Sequence, residues 1–210
     1  MIVSLNPDNQ SHIEAVAKLH KELLSDSPIV HLGDSFMKKI YYERLVKDRL
    51  FLCDLYYHTN TCVGFISYTN DPHNFMQKGM KKHFISLCLI LVKSIVQKPV
   101  LTKTVFSVFL DIFKRKATIP SCEELSWGEV LSFGVSSDAL KIVNKESGKR
   151  IPNVLFERAI EYFKKQEIKK HRLKIVKDNK AALLFYLSYG GKIIEDQHAE
   201  NDNYLLEFSI

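Results

Sequence analysis

The sequence predicts one α/β domain built on a mixed β-sheet with helices on its faces. Three observations carry this. Short apolar, β-rich runs alternate along the chain with stretches whose apolar residues recur at three- and four-residue steps. Two of those runs, residues 50–57 and 62–68, flank a polar connection from His58 to Thr61, as the strands of an antiparallel hairpin do. A length of 210 residues, 46% hydrophobic and 26% charged, gives one domain a full core and is too short for two domains of typical size.

Residues 2–5 form a short apolar run, read as an edge strand or first strand. Pro7, Asp8 and Ser11 supply turn and cap chemistry before a helix whose inner face is Ile13, Val16, Ala17, Leu19, His20, Leu23 and Leu24. After Asp26-Ser27-Pro28 and Gly33-Asp34-Ser35, the residues Phe36, Ile40, Tyr41, Leu45 and Val46 repeat that pattern and predict a second helix over 36–46. The hairpin follows. Residues 71–118 then hold nine bases against two acids, so this segment carries the excess positive charge of a chain whose net charge is +6. Within it, 83–96 and 101–113 predict an inserted pair of amphipathic helices bent at Lys98-Pro99, where proline blocks continuation. Both are too short and too charged to cross a bilayer, which takes about 20 apolar residues. Their faces pack on the domain, cover an acceptor cleft, meet a second copy in a homodimer, or make peripheral contact with an anionic membrane.

Residues 123–135 predict a central strand through Val130, Leu131, Phe133 and Val135, with Gly134 permitting close approach of a ligand or another backbone. A loop over 136–145 leads to the segment Ser147 to Asn153, which opens a helix carrying Val154, Leu155, Ala159, Ile160, Tyr162 and Phe163. Such a helix start binds phosphate through its unpaired N–H groups and dipole. A strand over 172–176, a polar turn at Asp178-Asn179, a helix through Ala181, Ala182, Phe185, Tyr186 and Tyr189, and a stop at Gly190-Gly191 come next, with Asn179 as N-cap. Strands over 192–195 and 204–208, separated by a polar turn, close the sheet.

The spacing Asn179-x-x-Ala182-x-x-Phe185-Tyr186-x-x-x-Gly190 resembles the C-terminal acyl-CoA motif of the GNAT superfamily of acyl-CoA-dependent N-acetyltransferases. The order of strand, two helices and hairpin is similar to that family's amino-terminal half, and HLGDSFMKKIYYERL over 31–45 is similar to a pattern of some bacterial members. The resemblance implies the GNAT fold, a sheet of about six to seven strands splayed between the fourth and fifth. It implies acetyl-CoA as acyl-donor cosubstrate, its pantetheine arm lying in the gap against the main chain of Phe133, Gly134 and Val135. Its pyrophosphate would lie over Gly148, Lys149, Arg150, Ile151, Pro152 and Asn153, and Asn179, Ala182 and Phe185 would line the rest. Tyr186 would protonate the coenzyme A sulfur. Glu129, early on the fourth strand, would be the base; the alternative for it is a solvated strand-end carboxylate. Family members usually carry Gln/Arg-x-x-Gly-x-Gly/Ala before the helix, whereas this chain has Ser147-x-x-Arg150-x-Pro152. Pro152 has no N–H to offer and Arg150 stands in place of a glycine, so Lys149 and Arg150 would compensate by charge.

Cys53, Cys62, Cys88 and Cys122 form no CxxC or Cys/His cluster, which predicts reduced thiols, no disulfide framework and no metal. No two of the eight histidines stand at i, i+4; His20 reads as helix-face filler, and His31, His73 and His83 earn no role individually. Ser136 and Ser137 have no identifiable His/Asp partners, which argues against a serine nucleophile. No nucleic-acid-binding module accompanies the basic segment. The amino terminus lacks a basic region, a continuous apolar run and a cleavage site, so the expected location is cytoplasmic. The expected reaction is direct transfer of an acetyl group to a primary amine of a small molecule, an amino sugar or another envelope-glycan precursor. The alternative is a degenerate acyl-CoA-binding or scaffold protein that has lost turnover along with its phosphate-loop glycines.

Overall fold

The hairpin forms where the alternating runs place it. In the computed structural model, which describes residues 1–97, 127–194 and 202–210 except for the side chains of 91–97, β2 (Leu52–His58) turns back into β3 (Thr61–Thr69), with Thr59 and Asn60 at positive φ in the turn. β1 (Ile2–Ser4) pairs antiparallel with the outer edge of β2. On the inner side, β4 (Trp127–Val135) runs antiparallel to β3, and β5 (Lys170–Val176) runs parallel to β4. β6 (Lys192–Ile194) and β7 (Asn203–Ser209) complete a seven-stranded mixed sheet of order β1-β2-β3-β4-β5-β7-β6. The parallel pairing is short. It runs from Trp127↔Lys170 to Val130↔Leu173 and stops, so the fourth and fifth strands splay as expected.

Helix α1 (Gln10–Leu23), capped by the Asn9 side chain, and the short α2 (Pro28–His31) and α3 (Asp34–Phe36) lie on one face. The element expected as a helix over 36–46 is instead a π-helix over Met37–Leu45. Its consecutive residues Ile40, Tyr41 and Tyr42 are all buried. A π-helix rotates less per residue than an α-helix, so three successive side chains can share one inward arc. α4 (Phe75–Lys82) and α5 (Phe84–Gln97) follow β3, with α5 close to the helix expected over 83–96. The expected helix over 101–113, the bend at Lys98-Pro99, residues 123–126 of the expected strand and Glu195 lie outside the described residues. Among the described residues no helix is long and apolar enough to cross a membrane.

On the opposite face lie α6 (Ile151–Lys165) and α7 (Lys180–Ser188). The sheet therefore separates two cores. One gathers Ile13, Val16, Phe36, Tyr41 and Phe65 under α1 and the π-helix, and the other gathers Val130, Leu155, Phe156, Phe163 and Leu206 under α6 and α7. Burial of this kind is the main favourable term in folding.

Candidate active site

Where β4 and β5 part, a cleft of about 450 Å³ opens. Its walls are residues 130–135 of β4 and 173–176 of β5, and α7 contributes Asn179, Ala181, Ala182, Phe185 and Tyr186. Leu23 and Leu24 from the end of α1, together with Leu140 and Pro152, line it further. Among the described residues, the ladder of β4 beyond Val130 runs only to β3, through Ile66↔Phe133, Phe65↔Gly134 and Gly64↔Val135, so its other edge faces the gap. A register shift between Ser67 and Tyr68 places a bulge at Leu131, where the two strands part.

The predicted residues Phe133, Gly134, Val135, Pro152, Asn179, Ala182, Phe185 and Tyr186 all come together around this cleft. Gly134 also serves the packing of α1. A Cβ there would stand 2.9 Å from Leu23 Cδ1 and 3.2 Å from Phe65 Cε1, so the missing side chain makes room for α1, while Gly134 itself still lines the cleft. Asn179 caps α7, its Oδ1 accepting from the Ala182 N–H at 3.1 Å. Asn179→Ala is expected to cost about 1 kcal/mol of stability, as loss of an N-cap does; urea unfolding measures it. Tyr186 is 6% exposed, packed against Phe156, Phe185, Phe133 and Phe208. Burial raises its phenol pKa above the ordinary value, which keeps the group protonated and able to donate.

Gly148, Lys149, Arg150, Ile151 and Asn153 lie beside the cleft rather than in its lining. Buried Asn144 organises their loop. Its Oδ1 accepts from the amides of Glu146 and Ser147 at 2.9 Å each, and its Nδ2 donates to the Tyr56 hydroxyl at 2.8 Å. Most amides that would cradle a phosphate are thereby engaged within the loop. Gly148 N–H donates to Asn144 O, Lys149 N–H to Ser147 Oγ, Ile151 N–H to Ile142 O and Val154 N–H to Arg150 O. Pro152 has none. Lys149 Nζ meets both oxygens of Glu157, at 2.8 and 2.7 Å, and Asn153 Nδ2 donates to the Tyr189 hydroxyl at 2.8 Å.

Glu129 lies outside the cleft lining, in register with Thr69 on one side and Arg172 on the other. It is close enough to Tyr41 of the π-helix for its charge to act there. Burial raises the Tyr41 phenol, hydrogen bonds with the Ser67 and Ser132 side chains work against that, and Glu129 adds to the rise. Arg172 lies 4.0 Å over the Trp127 ring and pairs with Glu207 at 2.8 Å. Burial works to raise the Glu207 carboxyl, and the hydrogen bonds from Lys170 and Arg172 outweigh it, so the pKa is lowered.

His20 is more than filler. It is fully buried, with Nδ1 2.5 Å from the Tyr42 hydroxyl and Nε2 3.1 Å from Ser27 Oγ, tying the connection after α1 to the π-helix at the Leu23–Leu24 end of the cleft. The sequence reading also missed Leu23, Leu24, Leu140 and Leu173 as lining residues. Nothing local marks them, because apolar residues at an element's end read as core.

No protein-family model matches the sequence. No curated protein matches it by sequence either. Solved structures do match, and over the whole chain. An acetyltransferase of the GNAT family from Staphylococcus aureus Mu50 is 12% identical with a TM-score of 0.56, the alignment covering 100% of this chain and 98% of that one. Arabidopsis thaliana NAA60 in complex with acetyl-CoA is 14% identical with a TM-score of 0.54, covering 100% and 98%. The PaiA N-acetyltransferase of Thermoplasma acidophilum in complex with coenzyme A is 14% identical with a TM-score of 0.52, covering 100% and 99%. At these identities the likeness is one of fold.

Proposed function

We propose that this chain, which has the GNAT acetyltransferase fold, transfers an acetyl group from acetyl-CoA to a primary amine of a small molecule by direct transfer. The observation that carries the reading is the cleft between the splayed strands, with an unpaired β4 edge on one wall and the protonated Tyr186 on another. A pantetheine arm has amides that hydrogen-bond to such an edge as an added strand does. The complexes of similar fold with acetyl-CoA and coenzyme A lend support.

Three roles follow from the chemistry. The amine must lose its proton, and Glu129 takes it directly or through water. The nitrogen attacks the thioester carbon, and a β4 main-chain N–H near Phe133 to Val135 stabilises the oxyanion. The C–S bond then breaks as the amide forms, and Tyr186 protonates the departing thiolate. Lys149 and Arg150 hold the pyrophosphate by charge, taking over from amides engaged elsewhere. An amino sugar or another envelope-glycan precursor is the acceptor we favour. Phosphate on that acceptor would suit the bases of 71–118, a segment we read as an insertion within a single domain.

A second reading has its own support. The engaged amides of the 148–154 loop and the missing N–H of Pro152 fit a degenerate protein that binds an acyl-CoA weakly, or serves as a scaffold, without turnover. Calorimetric titration with acetyl-CoA, with desulfo-coenzyme A and ATP as comparisons, tests both. Micromolar binding of acetyl-CoA is expected, followed by acetylation in a screen of small amines. Binding without turnover, or no binding, overturns the first reading and favours the second.

A further inference from the structure

One stripe of α6 faces the sheet and a second flanks it. The first, Leu155, Phe156, Ala159 and Phe163, is fully buried core. The other is polar. Arg158, Glu161, Tyr162 and Lys165 recur at i, i+3, i+4 and i+7, and they overhang the outer end of β1, β2 and β3. Between this stripe and the sheet lies a second cavity, of about 220 Å³, which shares no lining residue with the cleft.

Asp54 is the buried group of this cavity, 2% exposed. Ser4 Oγ donates to its Oδ1 at 2.6 Å, Tyr68 Oη donates to its Oδ2 at 2.7 Å, and Arg158 Nε stands 3.5 Å from Oδ2. A carboxylate withdrawn from water needs a charge partner and a full set of donors. Two neutral hydroxyls and one offset guanidinium, itself 43% exposed, leave it with acceptor capacity to spare. Glu161 and Lys165 also line the cavity. They stand at i, i+4 with exposed side chains, and among the described residues neither makes an ion pair. Two acids and two bases thus converge with a single contact between them, on walls otherwise supplied by Leu5, Val46, Leu52 and tyrosine rings.

We propose that this cavity binds a small zwitterion, an α-amino acid with a compact apolar side chain, its ammonium meeting Asp54 and Glu161 and its carboxylate meeting Arg158 and Lys165. A ligand of one sign would leave the opposite pair of charges unmatched. The volume is below that of ordinary drug-sized sites and suits a molecule of this size, and an acyl-CoA does not fit. The site stands apart from acetyl transfer and does not depend on it.

The test is titration of the full chain with L-alanine and L-valine by calorimetry and saturation-transfer NMR, with acetate and methylammonium as single-charge comparisons. Saturable binding of the amino acids in preference to the single-charge probes is expected. Asp54→Asn, which keeps the shape of the side chain, is expected to weaken it about tenfold or more, equivalent to a change of one decade in Kd. Lys165→Met, at an exposed position that does not endanger folding, is expected to weaken it several-fold. Acetyl-CoA titrations should be unchanged in both variants. The proposal is overturned if neither amino acid binds the unaltered protein saturably, if acetate binds as well as the amino acids, or if Lys165→Met leaves amino-acid binding as it was.

Discussion

Tyr186→Phe is expected to lower the turnover of acetyl transfer by about two to three orders of magnitude, within the range that a positioned general acid contributes. Acetyl-CoA affinity should stay within about twofold. The phenol lies in a buried aromatic cluster formed by Phe133, Phe156, Phe185 and Phe208, and phenylalanine preserves those ring contacts. Only the hydroxyl is lost. Because burial raises its pKa, the group is present in its protonated form at every pH of interest and has a proton to give when the thiolate departs. A fall in kcat with an unchanged dissociation constant marks an interaction made only in the transition state. Equal turnover in the two proteins would remove Tyr186 from the chemistry and return it to packing.

Stability is expected to fall as pH drops from about 6.5 to about 4, and the loss is assigned to two buried imidazoles. His171 is 1% exposed, stacked 4.4 Å from the Phe208 ring and 5.2 Å from Phe163, and neither ring nitrogen has a hydrogen-bond partner among the described residues. Burial lowers its pKa to about 4, and lowers that of His20 to about 4 as well. The unfolded chain therefore takes up these protons first, so each proton added in that window favours unfolding. The contribution is fully present above the unfolded value and exhausted below about 4. Each histidine accounts for at most about 3 kcal/mol, from about 1.4 kcal/mol per pH unit. Denaturant unfolding at pH 7 and pH 4.5 measures the slope, and His171→Leu should remove roughly half of it. A flat profile between those pH values would mean that the imidazoles are not held neutral. Asp48 and Glu207, whose carboxyl pKa values are lowered in the fold, add a separate loss further down, where carboxylates protonate.

The parts of the fold that local chemistry specifies were legible in the sequence. α7 carries its own start at Asn179 and its own stop at Gly190, which has φ +83°, so element and boundaries were both readable. The splay between β4 and β5 came from family resemblance alone, since no residue pattern announces where two strands part. The first steps of the π-helix, Phe36 to Ile40 and Tyr41, fit an ordinary helix, and only the four- and five-residue steps on to Leu45 and Val46 carry the mark of the wider turn. Gly134 predicts close approach of another backbone or a ligand, and only the tertiary packing shows that the Leu23 side chain lies where its Cβ would be. The loop before α6 carries a local signal of its own. Asn144 followed by Glu146 and Ser147 is the pattern in which a side chain closes a turn on the amides two and three residues on.

That closed turn has a consequence for how a nucleotide cosubstrate would respond to its surroundings. Backbone amides are fixed dipoles at short range, and the donors they present are little affected by dissolved ions. Here the amides of Gly148, Lys149 and Ile151 are engaged within the loop, so attraction for a polyanion falls to exposed side chains such as Lys149 and Arg150. Charges of that kind are screened over about 8 Å at physiological ionic strength. On the proposed reading, acetyl-CoA occupancy is expected to follow salt and competing anions, and a cell's ionic state would become an input to turnover.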